Sequence, residues 1–378
     1  MKSMNRYVAV IMVIAVLALT GLGLVMISST TAPLADYSGQ LKRQIIWFAA
    51  GLVAFGIVGW VDYKSWRPYV WPIFGLSLLL LCLVFVPGIG SHVKGSSRWL
   101  KVFGFKVQPS EFLRLAVVLL LAHGLAKQQP KIREWKWGFV WPLGVIAVPL
   151  LMLRMEPDFG TMALLAATTL TMMFVAGSRI WPVIATGGMG MTGLAMMMWL
   201  VPERRARFLA FLDPEKNKDG KFYQVWQGIL AFGSGGTDGL GLGNSRQKMF
   251  YLPESTTDCI FPIIGEELGL YATLAVVIAF AVILICGLWI AMQSRDSHGM
   301  LLGFGLMFGL CLQAMVNIGT VTGSIPPKGM PLPFVSYGGS NLLISYVAIG
   351  FLVSVHRESL RTKRFSGGMP IDDETPRF

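Results

Sequence analysis

Apolar runs long enough to cross a lipid bilayer recur from one end of this chain to the other, and they limit its fold more than any other feature. A helix rises about 1.5 Å per residue, so roughly 20 apolar residues are needed to span the hydrocarbon core. About ten runs approach that length: 7–28, 44–61, 70–87, 110–126, 139–154, 159–178, 181–201, 267–292, 300–321 and 338–355. With only 14% charged residues and a mean hydropathy of +0.61, the chain is far from the roughly 25% charge of soluble domains. The expected fold is all-α, a polytopic membrane bundle of about ten transmembrane helices. Lys2 and Arg6 before the first run resemble the start of a signal peptide. The run is too long for one and no small-residue cleavage site follows, so a retained anchor is expected.

Orientation follows from Lys and Arg in the short connections. With the N-terminus inside, one side carries Lys64 and Arg67, then Lys127, Lys131, Arg133 and Lys136, then Arg179, Arg295, and finally Arg357, Arg361, Lys363 and Arg364. An even number of spans then puts both termini in the cytoplasm. Residues 1–365 read as a single membrane domain, and 366–378 as a polar, disordered cytoplasmic tail. The net charge of +12 is spread over separate short loops, which fits anionic headgroups and not nucleic acid. Four cysteines and four histidines are scattered along the chain, so neither a disulfide framework nor a metal cluster is expected.

One outward segment breaks the charge rule. Residues 88–109 carry His92, Lys94, Arg98, Lys101 and Lys106 without an acid. Charge alone leaves two readings open, a tolerated exception or a cluster that attracts an anionic ligand such as a lipid phosphate.

The long polar stretch 202–266, between spans 7 and 8, is the expected working part. FYQVWQGILAF (222–232) reads as an amphipathic or re-entrant helix. GSGGTDGLGLGN (233–244) lacks the setting of a phosphate loop and reads as a turn packed closely on other backbone. In QKMFYLPESTTDCIFPIIGEELGL (247–270), acids stand beside apolar sequence, where an unpartnered carboxylate is costly. Glu266 and Glu267 are expected to act as N-terminal acids of the next span. Glu254 reads as a first-turn acid of a short helix. Asp258 is followed at once by CIFPII, a flank that favours a carboxyl poised near neutrality, as a general base requires. A helical 254–258 would put both carboxylates on one face.

Polar groups also mark other span ends. In QPSEFLRLAVV (108–118), Glu111 and Arg114 fall three apart on one helical face and are expected to pair. Asp158 of EPDFGT (156–161) is expected to cap the sixth span. PPKGMPLPFVSYGGSN (326–341) has four prolines and three glycines, and irregular backbone at membrane depth needs protein or a watery cavity against it. Lys328, Ser336, Tyr337 and Ser340 there suggest a lined cleft.

At these motifs the chain resembles the SEDS family of shape, elongation, division and sporulation proteins, from about residue 10 to 358. The markers are PGIG (87–90), SSRWL (96–100), QPSEF (108–112), PDFGT (157–161), FLDP (211–214), GLGNSRQKMFYLPESTTD (241–258), GEELG (265–269) and KGMPLPFVSYGGSN (328–341). They lie nearer the division-type members than the elongation-type ones.

The resemblance implies a peptidoglycan glycosyltransferase that polymerises lipid II on the outer face of the cytoplasmic membrane, at the division septum. It implies Asp258 as the catalytic acid of the family's Thr-Asp pair. It carries the Glu and the basic residue of the family's QPSExxK motif onto Glu111 and Arg114. With the available cations Arg98, Lys101, Arg204 and Lys248, with Gln247 and Glu254, and with Lys328, Ser336 and Ser340 of the lined cleft, these form the expected substrate-binding set. The resemblance further implies a class B penicillin-binding protein and other division proteins as partners, and catalysis with or without a divalent ion, Mg or Mn; no metal ligands are assigned. Arg114 stands where the family usually has Lys, Glu156 where Gln is commoner, and Cys259 where Phe is usual. An elongation-type polymerase, a lipid II flippase and a non-catalytic division scaffold are the alternative readings.

Overall fold

The computed structural model describes residues 4–32, 37–88, 90–93, 96–102, 104–213, 215–220 and 222–365. The expected tail at 366–378 lies outside them. Each apolar run forms a helix: α1 (Met4–Thr31), α2 (Tyr37–Trp60), α3 (Val70–Leu83), α4 (Pro109–Lys127), α5 (Trp141–Met155), α6 (Phe159–Val175) and α7 (Ile180–Leu200). After two shorter helices in the long loop, α8 (Pro202–Leu212) and α9 (Tyr223–Gly235), come α10 (Ile260–Met292), α11 (Ser297–Val321) and α12 (Gly339–Phe365). Among the described residues nine helices are long and apolar enough to cross a membrane, and α6 is a shorter apolar helix. The chain is a multi-pass membrane protein.

Sequence sets the helix ends locally. Pro109 and Pro202 open α4 and α8, where the missing N–H costs nothing. Asp158 caps α6 as expected, its carboxylate accepting from the Thr161 N–H and hydroxyl, and Asp296 caps α11 in the same way. Within the basic segment 88–109 the described residues form a small antiparallel sheet of β1 (Gly90–Val93), β2 (Ser96–Val102) and β3 (Phe105–Val107), in that order.

The spans pack through small residues, because lipid supplies no hydrophobic drive between helices and close approach has to do the work. A methyl group on Gly23 would lie 2.6 Å from the Val335 carbonyl, and one on Gly287 the same distance from Met307. Tyr346 sits at the centre, its hydroxyl 2.9 Å from that of Thr20 and its ring among Phe48, Phe55 and Phe334. At the end of the bundle away from the long loop, the Tyr63 hydroxyl donates to Asp296 at 2.6 Å, and Arg67 pairs with the same carboxylate.

α10 is broken at Gly269, whose φ of 75° lies in the left-handed region. There the glycine-rich loop joins it through main-chain hydrogen bonds: Leu240 and Gly241 N–H donate to the Glu266 and Glu267 carbonyls, and Leu270 N–H to that of Gly236. This is the close backbone approach expected of the GSGGTDGLGLGN stretch. A side chain on Gly269 would strain the backbone and strike the Thr237 and Gly239 main chain, which those pairings hold in place. Gly269→Ala is therefore expected to destabilise by about 1–3 kcal/mol, read as a lower Tm of the detergent-solubilised protein.

Candidate active site at the loop end of the bundle

The long loop is held by two buried acids. Glu267 accepts from the Ser29 hydroxyl of α1 at 2.7 Å, from the Gly243 and Ser245 N–H groups, and from the Lys248 ammonium at 2.8 Å. Glu266 accepts from the Ser245 hydroxyl and from the N–H groups of Arg246 and Gln247. The expectation that these acids serve a helix N-terminus is corrected. They lie at the far end of the first segment of α10, and their donors are the returning loop, which would otherwise leave backbone N–H groups buried and unmet. The same network takes in Lys248, one of the cations expected to meet substrate. Its ammonium is buried and engaged by Glu267, Ser29 and the Gly243 carbonyl. Gln247 stands beside it, its N–H bound to Glu266.

From this anchor the chain runs through Glu254 to Asp258. Glu254 has φ of +55°, so 254–258 is a turn, and the expected shared helical face of the two carboxylates is absent. Glu254 is exposed and accepts from the Thr257 hydroxyl at 2.8 Å. The proline-rich segment holds the turn from behind. Ser336 donates its hydroxyl to the Thr257 carbonyl at 2.5 Å and accepts the Leu332 N–H, while the Tyr337 N–H donates to the Thr256 carbonyl. Ser340 is buried and accepts the Gln108 N–H at 2.9 Å, tying the start of α4 to α12. Both serine hydroxyls are engaged within the protein.

The carboxylate of Asp258 lies against Gly329, close enough that a side chain at 329 would collide with it. The neighbouring residue, Lys328, reaches the Asp158 carboxylate at 3.7 Å, its stem passing over Gly160. Burial by itself would lift the Asp158 carboxyl, but Lys328, Arg98 and the Thr161 bonds together hold it below the usual range. Burial lowers Lys328, Asp158 opposes that, and the positive fields of Arg98, Arg204 and Arg207 add to the lowering. Those three guanidinium groups are therefore within electrostatic reach of Lys328. Arg98 donates to the Glu156 and Pro157 carbonyls at 3.1 and 2.8 Å, fixing the turn before Asp158. Arg204 stacks over the Phe159 ring at 3.5 Å. Lys101 is exposed on β2. Asp258, Lys328, Arg98 and Arg204 thus come from four separate segments towards one end of the bundle. Phe334 also has positive φ, at 66°, so the turn facing Asp258 stores strain of the kind found at functional sites.

Glu156 is 1% exposed, and neither carboxyl oxygen has a hydrogen-bond partner among the described residues. Burial first, and the charge of Asp158 second, push its carboxyl up to about 8, with Arg98 opposing. Because the folded state holds this proton more tightly than the unfolded chain, stability is greatest below the ordinary value of 4.5 and falls as pH rises to about 8. Each unit in that window costs about 1.4 kcal/mol. Glu156→Gln is expected to match the native Tm at acid pH and to exceed it progressively towards pH 8, in a pH series of thermal melts.

Glu111 and Arg114 form the expected pair at 3.1 Å, Glu111 being buried. They line a cleft inside the bundle with Thr168 of α6, Gly305 and Gly309 of α11 and Ser345 of α12. Among the described residues no hydrogen bond or ion pair joins them to the Asp258 group. Asn317 of α11 was missed in the sequence. Its amide donates to the carbonyls of Asp258 and Met330. Among the described residues no group of three or more His, Cys, Asp and Glu side chains is placed to hold a metal ion.

A family model described as "Cell cycle protein" and covering FtsW, RodA and SpoVE matches residues 10–361. The chain is 40% identical over 353 residues to the "Probable peptidoglycan glycosyltransferase FtsW" of Trichlorobacter lovleyi, covering 91% of this chain and 92% of the relative. It is 38% identical over 354 residues to the "Stage V sporulation protein E" of Bacillus subtilis, covering 92% and 97%. A solved structure described as "Structural coordination of polymerization and crosslinking by a peptidoglycan synthase complex" aligns with a TM-score of 0.76 and 26% identity, over 92% of this chain and 97% of that one. The rod shape determining protein RodA of Thermus thermophilus shares the fold, with a TM-score of 0.69 and 23% identity over 92% and 96% of the two chains.

Proposed function

The chain belongs to the FtsW/RodA/SpoVE cell cycle protein family, and from that premise we propose that it polymerises lipid II into glycan strands, as a peptidoglycan glycosyltransferase of the cell-division type. The observation that carries this reading is the Asp258 carboxylate lying against Gly329, next in the chain to Lys328, which pairs with Asp158 and lies in the field of Arg98, Arg204 and Arg207. One carboxylate next to a cluster of cations suits transfer of a sugar away from a diphosphate.

Asp258 takes the proton from the 4-hydroxyl of the acceptor's N-acetylglucosamine. That oxygen attacks C1 of the N-acetylmuramic acid at the reducing end of the growing strand. The C1–oxygen bond to the diphosphate breaks, and undecaprenyl diphosphate leaves with the bonding electrons. A single inversion turns the α-linked donor into a β-1,4 glycan, so one base suffices and no covalent intermediate forms. Lys328, Arg98, Arg204 and Arg207 stabilise the charge growing on the leaving group. A divalent ion, if bound, would add positive charge at the leaving group, and no step is routed through it.

The site faces outward, with both termini in the cytoplasm and the protein in the cytoplasmic membrane at the septum. The Lys and Arg bias of the opposite loops supports this orientation. The likeness to a synthase complex that couples polymerisation to crosslinking supports a class B penicillin-binding protein as partner, alongside other division proteins. A transporter of lipid II is the competing reading. Purified protein in vesicles containing lipid II decides between them. Glycan strands resolved on a gel are expected, whereas transbilayer movement of lipid II without polymer would support the transporter.

A further inference from the structure

A base is useful only if its carboxylate is held in one place, and Asp258 sits on a turn, not on a helix. The side chains that hold this turn therefore bear on turnover. α11 carries two buried amides one helical turn apart, Gln313 and Asn317, 2% and 1% exposed. A helix needs neither amide for its own hydrogen bonds, and burying one costs free energy unless its donors are met. Gln313 donates to the Pro331 carbonyl at 2.9 Å. Asn317 spends both donors on carbonyls of separate segments, Asp258 at 2.9 Å and Met330 at 2.5 Å. Met330 follows Gly329, the residue on which the Asp258 carboxylate rests. One rigid amide thus ties together the base's own main chain and the surface against which its side chain lies.

We infer that Asn317 is a positioning residue for glycan transfer, setting the distance between the Asp258 carboxylate and the Lys328–Gly329 turn. The inference rests on the reading of Asp258 as the base. Gln313 makes the instructive comparison, because it grips the same proline-rich turn without touching the Asp258 segment. A fold-wide role would make the two amides equivalent, whereas positioning would make Asn317 matter far more to chemistry than to binding. Neither amide touches substrate in this account, so losing one should leave lipid II affinity largely in place. A misplacement of about 1 Å at a reacting group can cost on the order of 100-fold in rate.

The test is steady-state lipid II polymerisation by purified protein with its transpeptidase partner, comparing Asn317→Leu, Gln313→Leu and Asp258→Asn. Asn317→Leu is expected to lower kcat by at least tenfold with little change in KM, and Gln313→Leu to have a much smaller effect. Asn317→Ser, which keeps a donor too short to bridge both carbonyls, serves if the leucine variant does not fold, with the same expectation. Unchanged kcat in the Asn317 variant, equal losses at both amides, or a loss confined to KM would each overturn the inference. An Asp258→Asn protein of full activity would instead overturn the reading on which it rests.

Discussion

Lys248→Met is expected to lower the stability of the solubilised protein by on the order of 3–5 kcal/mol, and to loosen the whole loop that carries Asp258. The lysine and Glu267 are a fully buried ion pair, with side chains 2% and 0% exposed. Removing the cation leaves a carboxylate with no counter-charge in a setting that water does not reach. Hydrogen bonds from Ser29, Gly243 and Ser245 remain and soften the loss, which favours the lower part of that range. The double change Lys248→Met with Glu267→Gln removes both charges and should recover much of the Tm, because an uncompensated charge costs more than a missing pair. A single variant with native Tm would show that the pair does not anchor the loop. The position is also informative for function, since this lysine was counted among cations for the substrate. Activity lost in the single variant and restored in the double one would mark an anchor and not a phosphate ligand.

The helical bundle was legible because span length is a property of each segment alone. Every run of apolar residues became a helix without reference to any other part of the chain. The sheet at 90–107 was not legible, because its strands are short and pair with one another across turns, and the sequence there stands out only by its charge. The break in α10 was hidden for a similar reason. Gly269 reads as one glycine in an apolar stretch, and only the return of 236–241 against it shows why the backbone must turn there.

The site divides along the same line. Asp258 stood out because a charge beside apolar sequence demands a partner, Arg98 because its segment breaks the charge rule, and Lys328 as the lone cation of a proline-rich segment, whereas Arg204 was one of several available cations. Asp158 was legible as a cap, a local matter of three residues, although its pairing with Lys328 was not. Glu266 and Glu267 were misread because the obvious neighbour was their own helix, while their donors lie about twenty residues upstream in the returning loop. Ser336 and Ser340 were legible as polar groups in the proline-rich segment, but the carbonyl and N–H groups that their hydroxyls meet were not. Asn317 carried no signal, being an uncharged amide in a span, with an acceptor 59 residues away.

The largest expected effect is that of Asp258→Asn. The substitution keeps shape and size, and the main chain of 256–258 remains held by Tyr337, Ser336 and Asn317. What disappears is the only group in this account that accepts the acceptor sugar's proton. A positioned general base contributes about 100- to 10,000-fold, and the attacking hydroxyl is too weak a nucleophile to act without one. The cations around Lys328 remain and should still bind the diphosphate, so the variant should retain lipid II and fail to join it. The decisive measurement is the rate of lipid II polymerisation by the purified Asp258→Asn protein with its transpeptidase partner, set beside the native protein at equal Tm. A loss of two orders of magnitude or more is the predicted result, and polymerisation at the native rate would contradict the account.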